Sequence, residues 1–280
     1  MAEPKPIVFV SILPQKFFVQ QISKDKFDIE VMVKPGASPH TYEPKPSQMK
    51  KLAACLGYFT IGVALEKVWL NKIATINPDM KVIHTEAGIE KIAMQGMHHD
   101  DDDSNRKQRE GGDAEHDHSG LDPHIWLSPA LVKTQAATIT DSLIELDPGS
   151  ASFYQDNFNR FKARITELDT QLLSLLADKK GMKFMVFHPS WGYFARNYGL
   201  EQVAVEIEGK SPKPAHLKTL ISQAIEEDIR VIFAQPQFSR KSAGVIAREI
   251  NGEVVLVDPL GENWFENMSY VADKFSKALR

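Results

Sequence analysis

A single uninterrupted helical pattern separates two halves of this chain, and each half alternates short apolar runs with helical ones. Over residues 150–179 apolar side chains recur at helical spacing without a break, whereas residues 7–11 and 183–188 form short apolar runs that precede helical segments. This alternation predicts βα units and mainly parallel sheets. At about 1.5 Å per residue, the helix would be roughly 40 Å long, which suits a rigid strut.

We therefore predict an α/β fold of two (βα) lobes with mainly parallel sheets, joined by one long rigid helix. The N-terminal lobe would cover residues 1–149, the linking helix residues 150–179, and the C-terminal lobe residues 180–280. A chain of 280 residues is long enough for two compact domains.

Composition limits the classes of partner. Hydrophobic residues make up 42% and charged residues 25% of the chain, as in ordinary soluble proteins. The formal net charge of −4 gives no argument for nucleic-acid binding. No apolar run is long enough to span a membrane, so we expect a chain that is not membrane-embedded. The one cysteine, Cys55, excludes an internal disulfide and a cysteine-based zinc cluster, and its apolar neighbours predict a buried thiol.

Residues 98–118 interrupt the alternation. They hold eight acidic residues against three basic ones and almost no apolar side chain, which predicts a disordered acidic loop. Its four histidines form a second, weaker candidate for binding divalent cations, and the alternative is a solvated linker. These histidines are His98, His99, His116 and His118.

Four potential metal ligands each lie beside a proline, where an extended segment is predicted to stop. They are His40, His124, His188 and Asp258. Proline fixes its own backbone and biases the preceding residue toward extended geometry, so a strand that reaches a proline leaves the sheet there. Open α/β sheets build their ligand crevices at strand ends. Three imidazoles and one carboxylate suit a divalent transition metal, zinc first.

A single histidine at a strand end is more often structural than a ligand, but the same placement recurs in both halves of this chain. Because imidazole must be unprotonated to coordinate, we expect metal affinity to fall below about pH 6. Trp126 is predicted to be a core aromatic that excludes water near the site. Glu206 and Glu208 form a carboxylate pair on a predicted loop, for which a solvated or lobe-edge role is favoured over acid–base catalysis. No phosphate-binding glycine loop or nucleophile elbow is present.

Seven stretches of the chain, in order and over nearly its whole length, resemble the zinc/manganese class (cluster A-I) of ABC-transporter periplasmic substrate-binding proteins. They are PGASPHTYEP at 35–44, FTIGV at 59–63, DPHIWLSP at 122–129, FHPSWGYF at 187–194, EIEGK at 206–210, QPQFS at 235–239 and VDPLG at 257–261. The resemblance implies two α/β lobes with the metal between them, and it carries the ligand role onto His40, His124, His188 and Asp258. Manganese-type relatives tend to have a glutamate where this chain has His188, so Zn²⁺ is expected, with Mn²⁺ as the alternative.

The resemblance predicts a high-affinity zinc-binding protein that captures the ion between its lobes and delivers it to the membrane permease of an ABC transporter. We expect a periplasmic monomer whose export signal has been removed from this chain. The alternatives are a manganese- or iron-binding importer component, a metal-dependent adhesion protein, and a zinc-dependent hydrolase with Asp258 as base. A coordinated carboxylate at the fourth position would indicate binding, and a bound water there would indicate catalysis.

Overall fold

Each half of the chain folds into strands and helices that alternate along the sequence. The computed structural model describes residues 4–94, 120–206, 212–238 and 240–279. The first half contains β1 (Ile7–Val10), α1 (Leu13–Ser23), β2 (Asp28–Val31), α2 (Pro46–Leu52), β3 (Gly57–Thr60), α3 (Ala64–Ile76), β4 (Lys81–His84), a 3₁₀ helix (Ile125–Leu127) and α4 (Pro129–Leu146).

The second half repeats the alternation after one long helix. It contains α5 (Ala151–Leu175), β5 (Lys183–Val186), α6 (Gly192–Tyr198), β6 (Glu201–Ala204), α7 (Pro214–Glu226), β7 (Val231–Ala234), α8 (Arg240–Glu249), β8 (Glu253–Leu256) and α9 (Trp264–Ala278), with 3₁₀ helices at Pro148–Ser150 and Ala177–Lys179 on either side of α5.

Both described sheets are parallel and have equivalent strand orders, β2-β1-β3-β4 and β6-β5-β7-β8. The central strands β3 and β7 are buried along their whole length, as expected for strands covered by helices on both faces. The predicted α/β fold of two parallel-sheet lobes with one long helix is therefore confirmed.

Helix α5 packs on helices from both halves of the chain. Phe161 lies with its ring centre 6.0 Å from that of Phe18 in α1 and 5.8 Å from that of Phe265 in α9. The side-chain amide of Asn157 donates to the carbonyl of Ile22 at 2.8 Å. This carbonyl lies in the last turn of α1, where backbone carbonyls have no partner within the helix. One continuous apolar core therefore runs from the first lobe through α5 into the second.

Two buried tryptophans connect the lobes next to their shared crevice. The indole of Trp126 donates to the carbonyl of Pro259 at 2.7 Å, and the indole of Trp264 donates to the carbonyl of Trp126 at 2.8 Å. Because buried indole N–H groups are costly to leave unpaired, these bonds fix the lobes against each other at this point.

The helix α3 and the strand β4 were not predicted from the sequence. In α3 only Leu65, Glu66 and Ile73 are buried, so its apolar face is too narrow to give a clear helical period. The strand β4 is a four-residue edge strand with both ends exposed. Cys55 is buried, as predicted.

The predicted domain limits at residues 149 and 179 stay predictions. The acidic loop predicted at residues 98–118 lies outside the described residues. Among the described residues, no helix combines the length and the apolar character needed to cross a membrane.

Candidate metal centre

Three of the four predicted ligands meet in the crevice between the lobes. The Nε2 atom of His188 lies 3.2 Å from the Nε2 atom of His40 and 3.3 Å from that of His124. One ring nitrogen from each of the three lies within 4.8 Å of the other two. The residues come from distant parts of the chain, so the fold assembles the cluster.

The spacing of these nitrogens suits a tetrahedral zinc ion. Zn–N bonds of about 2.0–2.1 Å at tetrahedral angles place neighbouring ligand nitrogens roughly 3.3–3.4 Å apart. The two separations above, 3.2 Å and 3.3 Å, are close to this value. Two of the three pairs of nitrogens therefore already have the spacing that a common zinc ion requires, and the third pair lies within 4.8 Å.

Two buried carboxylates face the outer nitrogens of the two buried imidazoles. Asp122 Oδ1 accepts from the backbone N–H of His124 at 2.8 Å and from its Nδ1 at 2.6 Å. Glu206 Oε1 accepts from Nδ1 of His188. In a neutral imidazole that donates from Nδ1, Nε2 carries a lone pair. The lone pairs of His124 and His188 therefore face each other, and a cation between them removes their repulsion.

The three histidines reach the crevice by different routes. His188 follows β5 by two residues, and Gln235 at the end of β7 holds its backbone by accepting from its N–H at 3.2 Å and donating to its carbonyl at 2.6 Å. His124 precedes the 3₁₀ helix Ile125–Leu127. His40 lies on an exposed loop, nine residues after the end of β2.

The prediction that all candidate ligands lie at strand ends is therefore confirmed for His188 and Asp258 and wrong for the other two. Asp258 follows β8 by two residues, as His188 follows β5. His40 and His124 lie on loops. Proline ends a turn or a loop segment as readily as a strand, and the sequence pattern does not distinguish these cases.

Desolvation lowers the basicity of two of the three imidazoles. His40 lies on an exposed loop, yet desolvation of its ring, followed by the neighbouring His188 and His124, lowers its pKa to about 3. Burial also lowers the pKa of His188, against the opposing effect of Glu206. Both imidazoles are therefore neutral near pH 7, which is the form that binds a metal.

Asp258 is not part of the three-histidine group. Its Oδ1 accepts from the side-chain amide of Gln237 at 2.8 Å and from the backbone N–H of Leu260 at 2.9 Å. Gln237 also lines the pocket that contains the three histidines. Asp258 thus lies next to the crevice, with one carboxylate oxygen engaged by its own lobe.

Glu206 corrects one expectation from the sequence. A solvated or lobe-edge role was favoured for it, and the solvated role is wrong, because its side chain is 2% exposed and is bonded to His188. The missed signal is that Glu206 follows β6, the neighbour of β5 in the sheet, so the ends of these strands lie side by side. Glu208 and the four loop histidines, His98, His99, His116 and His118, lie outside the described residues.

Apolar side chains enclose the cluster. The ring of Trp126 is buried with its centre 5.1 Å from that of His124, as predicted for an aromatic that excludes water. The ring of Phe238 stacks on His188 at 4.9 Å, and Val63 and Leu260 also line the pocket. Nonpolar surroundings strengthen the electrostatic attraction between an ion and its ligands.

Comparison with known proteins gives one consistent result. A sequence model of the family described as ZnuA, zinc-uptake complex component A periplasmic, matches residues 8–278. The high-affinity zinc uptake system protein ZnuA of Yersinia pestis is 27% identical over 266 residues, with 91% of this chain and 83% of that protein covered. The zinc-binding protein AdcA of Streptococcus pyogenes is 26% identical over 93% of this chain, which spans about half (51%) of AdcA.

Solved structures agree with the sequence comparison. A crystal structure of ZnuA superposes with a TM-score of 0.87 at 39% identity, over 98% of this chain and 99% of that one. A zinc-bound ZnuA deletion mutant gives the same TM-score and identity over 99% and 98% of the two chains. The substrate-binding protein FpvC of Pseudomonas aeruginosa with Ni²⁺, at 23% identity and a TM-score of 0.80, shares the fold.

Proposed function

The chain belongs to the family of periplasmic components A of zinc-uptake complexes, and on this premise we propose that it is a high-affinity zinc-binding protein. It captures the ion between its two lobes and delivers it to the permease of an ABC transporter in the periplasm. His40, His124 and His188 are its ligands. It acts as a monomer and is not an enzyme.

One observation carries this proposal: three imidazole nitrogens from three separate segments lie within 4.8 Å of one another, and two of their separations match a tetrahedral zinc shell. Two of them have lone pairs that face each other because their other nitrogens donate to carboxylates. The relatives named for zinc, ZnuA and AdcA, support zinc as the cargo.

Asp258 is the proposed fourth ligand. Its carboxylate would reach the ion after giving up its bond from Gln237. This would close the zinc site, as expected of a binding protein and unlike a catalytic site that keeps an open position. A hydrolase that used Asp258 as base would need a water on the metal instead.

Manganese or iron is the second candidate cargo, because members of this fold have been solved with other metals, such as FpvC with Mn²⁺. Three nitrogen ligands favour zinc, since manganese prefers carboxylate, carbonyl and water oxygens. Titration with manganese in place of zinc should therefore give weaker binding.

A calorimetric titration tests the proposal. Zinc is added to chelator-stripped protein, to His188→Ala, and to a variant in which His98, His99, His116 and His118 are all serine. We expect one tight event with one zinc per chain, retained in the loop variant and lost in His188→Ala. Absence of a tight event in the unchanged chain would overturn the proposal.

A further inference from the structure

Two acidic side chains lie behind the candidate zinc ligands, one in each lobe. We propose that Asp122 and Glu206 are positioning residues that orient His124 and His188, balance the charge of the ion and make the site select zinc. This inference rests on the proposed function, which it deepens by naming the residues that set metal selectivity.

The two carboxylates occupy equivalent places relative to their imidazoles. Each is almost completely buried, with Asp122 1% and Glu206 2% exposed, and each accepts from Nδ1 of its histidine. Each acceptor therefore fixes one tautomer and directs Nε2 into the crevice. His40, the exposed third histidine, has no carboxylate within 4 Å of its ring nitrogens in the described part of the chain.

Both carboxylates lie in closely packed, buried surroundings beside the histidines. The Oε2 atom of Glu206 is buried and has no hydrogen-bond partner among the described residues. Around Asp122 the packing is tight: a Cβ atom added at Gly192 would come within 2.9 Å of its Oδ2, and Tyr193 donates to its backbone carbonyl at 2.9 Å. A buried carboxylate with an unsatisfied oxygen is destabilising unless positive charge is near it.

A bound divalent ion supplies that positive charge. Three neutral imidazoles leave the ion with its full charge of +2, and the two carboxylates together supply −2. The site is therefore electrically balanced before Asp258 enters it. Carboxylates that accept from imidazole also increase the basicity of the coordinating nitrogen, which benefits zinc more than manganese because zinc binds nitrogen ligands more strongly.

The test compares three single variants by competition with a chromophoric zinc chelator. Glu206→Gln and Asp122→Asn keep an oxygen that can accept from imidazole but remove the charge. Glu201→Gln makes the same chemical change in β6, the strand that precedes Glu206, at an exposed position. We expect zinc affinity to fall about 10- to 100-fold in each of the first two variants and to stay unchanged in Glu201→Gln.

Measuring manganese affinity as well distinguishes a loss of zinc selectivity from a general loss of metal binding. We expect zinc affinity to fall more than manganese affinity in Glu206→Gln and Asp122→Asn, while the thermal midpoints of the metal-free variants do not fall below that of the unchanged chain. Equal losses for both metals, or unchanged zinc affinity in both variants, would overturn it. If Glu206→Gln does not fold, Asp122→Asn decides alone. Absence of tight zinc binding in the unchanged chain would instead refute the proposed function.

Discussion

The two lobes have equivalent strand orders, but the residues at the carboxyl ends of their strands play different parts. In the first lobe a buried network closes this edge: Ser11 contacts Tyr58 at 2.9 Å and donates to Glu66, which also accepts from the backbone N–H groups of Ile61 at 2.9 Å and Gly62 at 2.7 Å. In the second lobe the equivalent edge carries His188, Glu206, Gln235 and Asp258.

The difference shows that the same strand topology can use its strand ends either for internal hydrogen bonds, as in the first lobe, or to present a candidate metal ligand, as in the second. The strand ends of the first lobe are used for internal bonds, so its proposed ligands His40 and His124 come from loops. The second lobe supplies its proposed ligand His188 from a strand end, where Gln235 and Glu206 hold it in place. We infer that the buried, carboxylate-held His188 and His124 form the fixed half of the zinc site and that His40, on its exposed loop, forms the adjustable half.

The largest expected effect compares His188→Ala with His40→Ala. Each removes one of the three proposed histidine ligands, and if structural zinc sites contribute about 10–16 kcal/mol in total, each loss weakens zinc binding by about 4 kcal/mol, or roughly a thousandfold. Chelator competition measures this. A His188→Ala variant that binds zinc normally would show that the fixed half is not part of the site.

His188→Ala and His40→Ala should also differ in how much they lower the free energy of unfolding of the metal-free protein. His188→Ala leaves Glu206 buried without its partner, which we expect to lower the free energy of unfolding by about 2 kcal/mol. His40→Ala removes an exposed side chain and should change it by less than about 0.5 kcal/mol. Urea denaturation of the metal-free proteins checks this. Equal losses would contradict the distinction between the fixed and adjustable halves.

Glu66→Ala tests the buried hydrogen-bond network at the strand ends of the first lobe. This change removes the acceptor of two buried donors, Ser11 and Ile61, and of the half-buried Gly62 N–H, so we expect a loss of about 2–3 kcal/mol in the free energy of unfolding. Because Glu66 is not a ligand, the stoichiometry of zinc binding should stay at one per folded chain. Urea denaturation and calorimetry give the two values, and Glu90→Ala on the same lobe is the exposed control.

His40 and Glu66 should have opposite effects on how the stability of the metal-free protein changes with pH. The pKa of His40 is lowered to about 3, so the unfolded chain binds more protons below about pH 6.5 and stability is lost as the pH falls. Burial raises the pKa of Glu66 to about 7, so its contribution is present below about pH 4.5 and lost as the pH rises through 7.

Two variants separate these effects. Between about pH 7 and pH 5, His40→Ala should flatten the loss of stability on acidification, and Glu66→Gln should make it steeper. Urea midpoints at the two pH values measure both slopes. Unchanged slopes in both variants would contradict the assignment.

The smallest expected effect concerns Gln237. Its amide holds Asp258 at 2.8 Å, so Gln237→Ala should free the carboxylate and strengthen zinc binding by about 1 kcal/mol, or roughly fivefold. In Asp258→Asn the same change at Gln237 should have no effect. A gain that persists in the double variant would mean that Gln237 acts by another route.

The fold was largely predictable because strands such as β1 and β7 are buried and separated by helical periods. The three histidines were predictable from their proline neighbours and from the family resemblance. The sequence pattern missed Glu206, because a carboxylate in a polar stretch looks solvated until the adjacent strands place it on His188. It also could not place Asp258, because the bond from Gln237 depends on the relative positions of two loops.

The central claim is that one ion bridges the lobes through three histidines. Anomalous diffraction at the zinc edge, from crystals of the zinc-loaded protein, tests it most directly. We predict one strong peak at about 2.0–2.1 Å from the Nε2 atoms of His40, His124 and His188. A peak whose ligands all belong to one lobe, or one that lacks any of these histidines, would contradict the account.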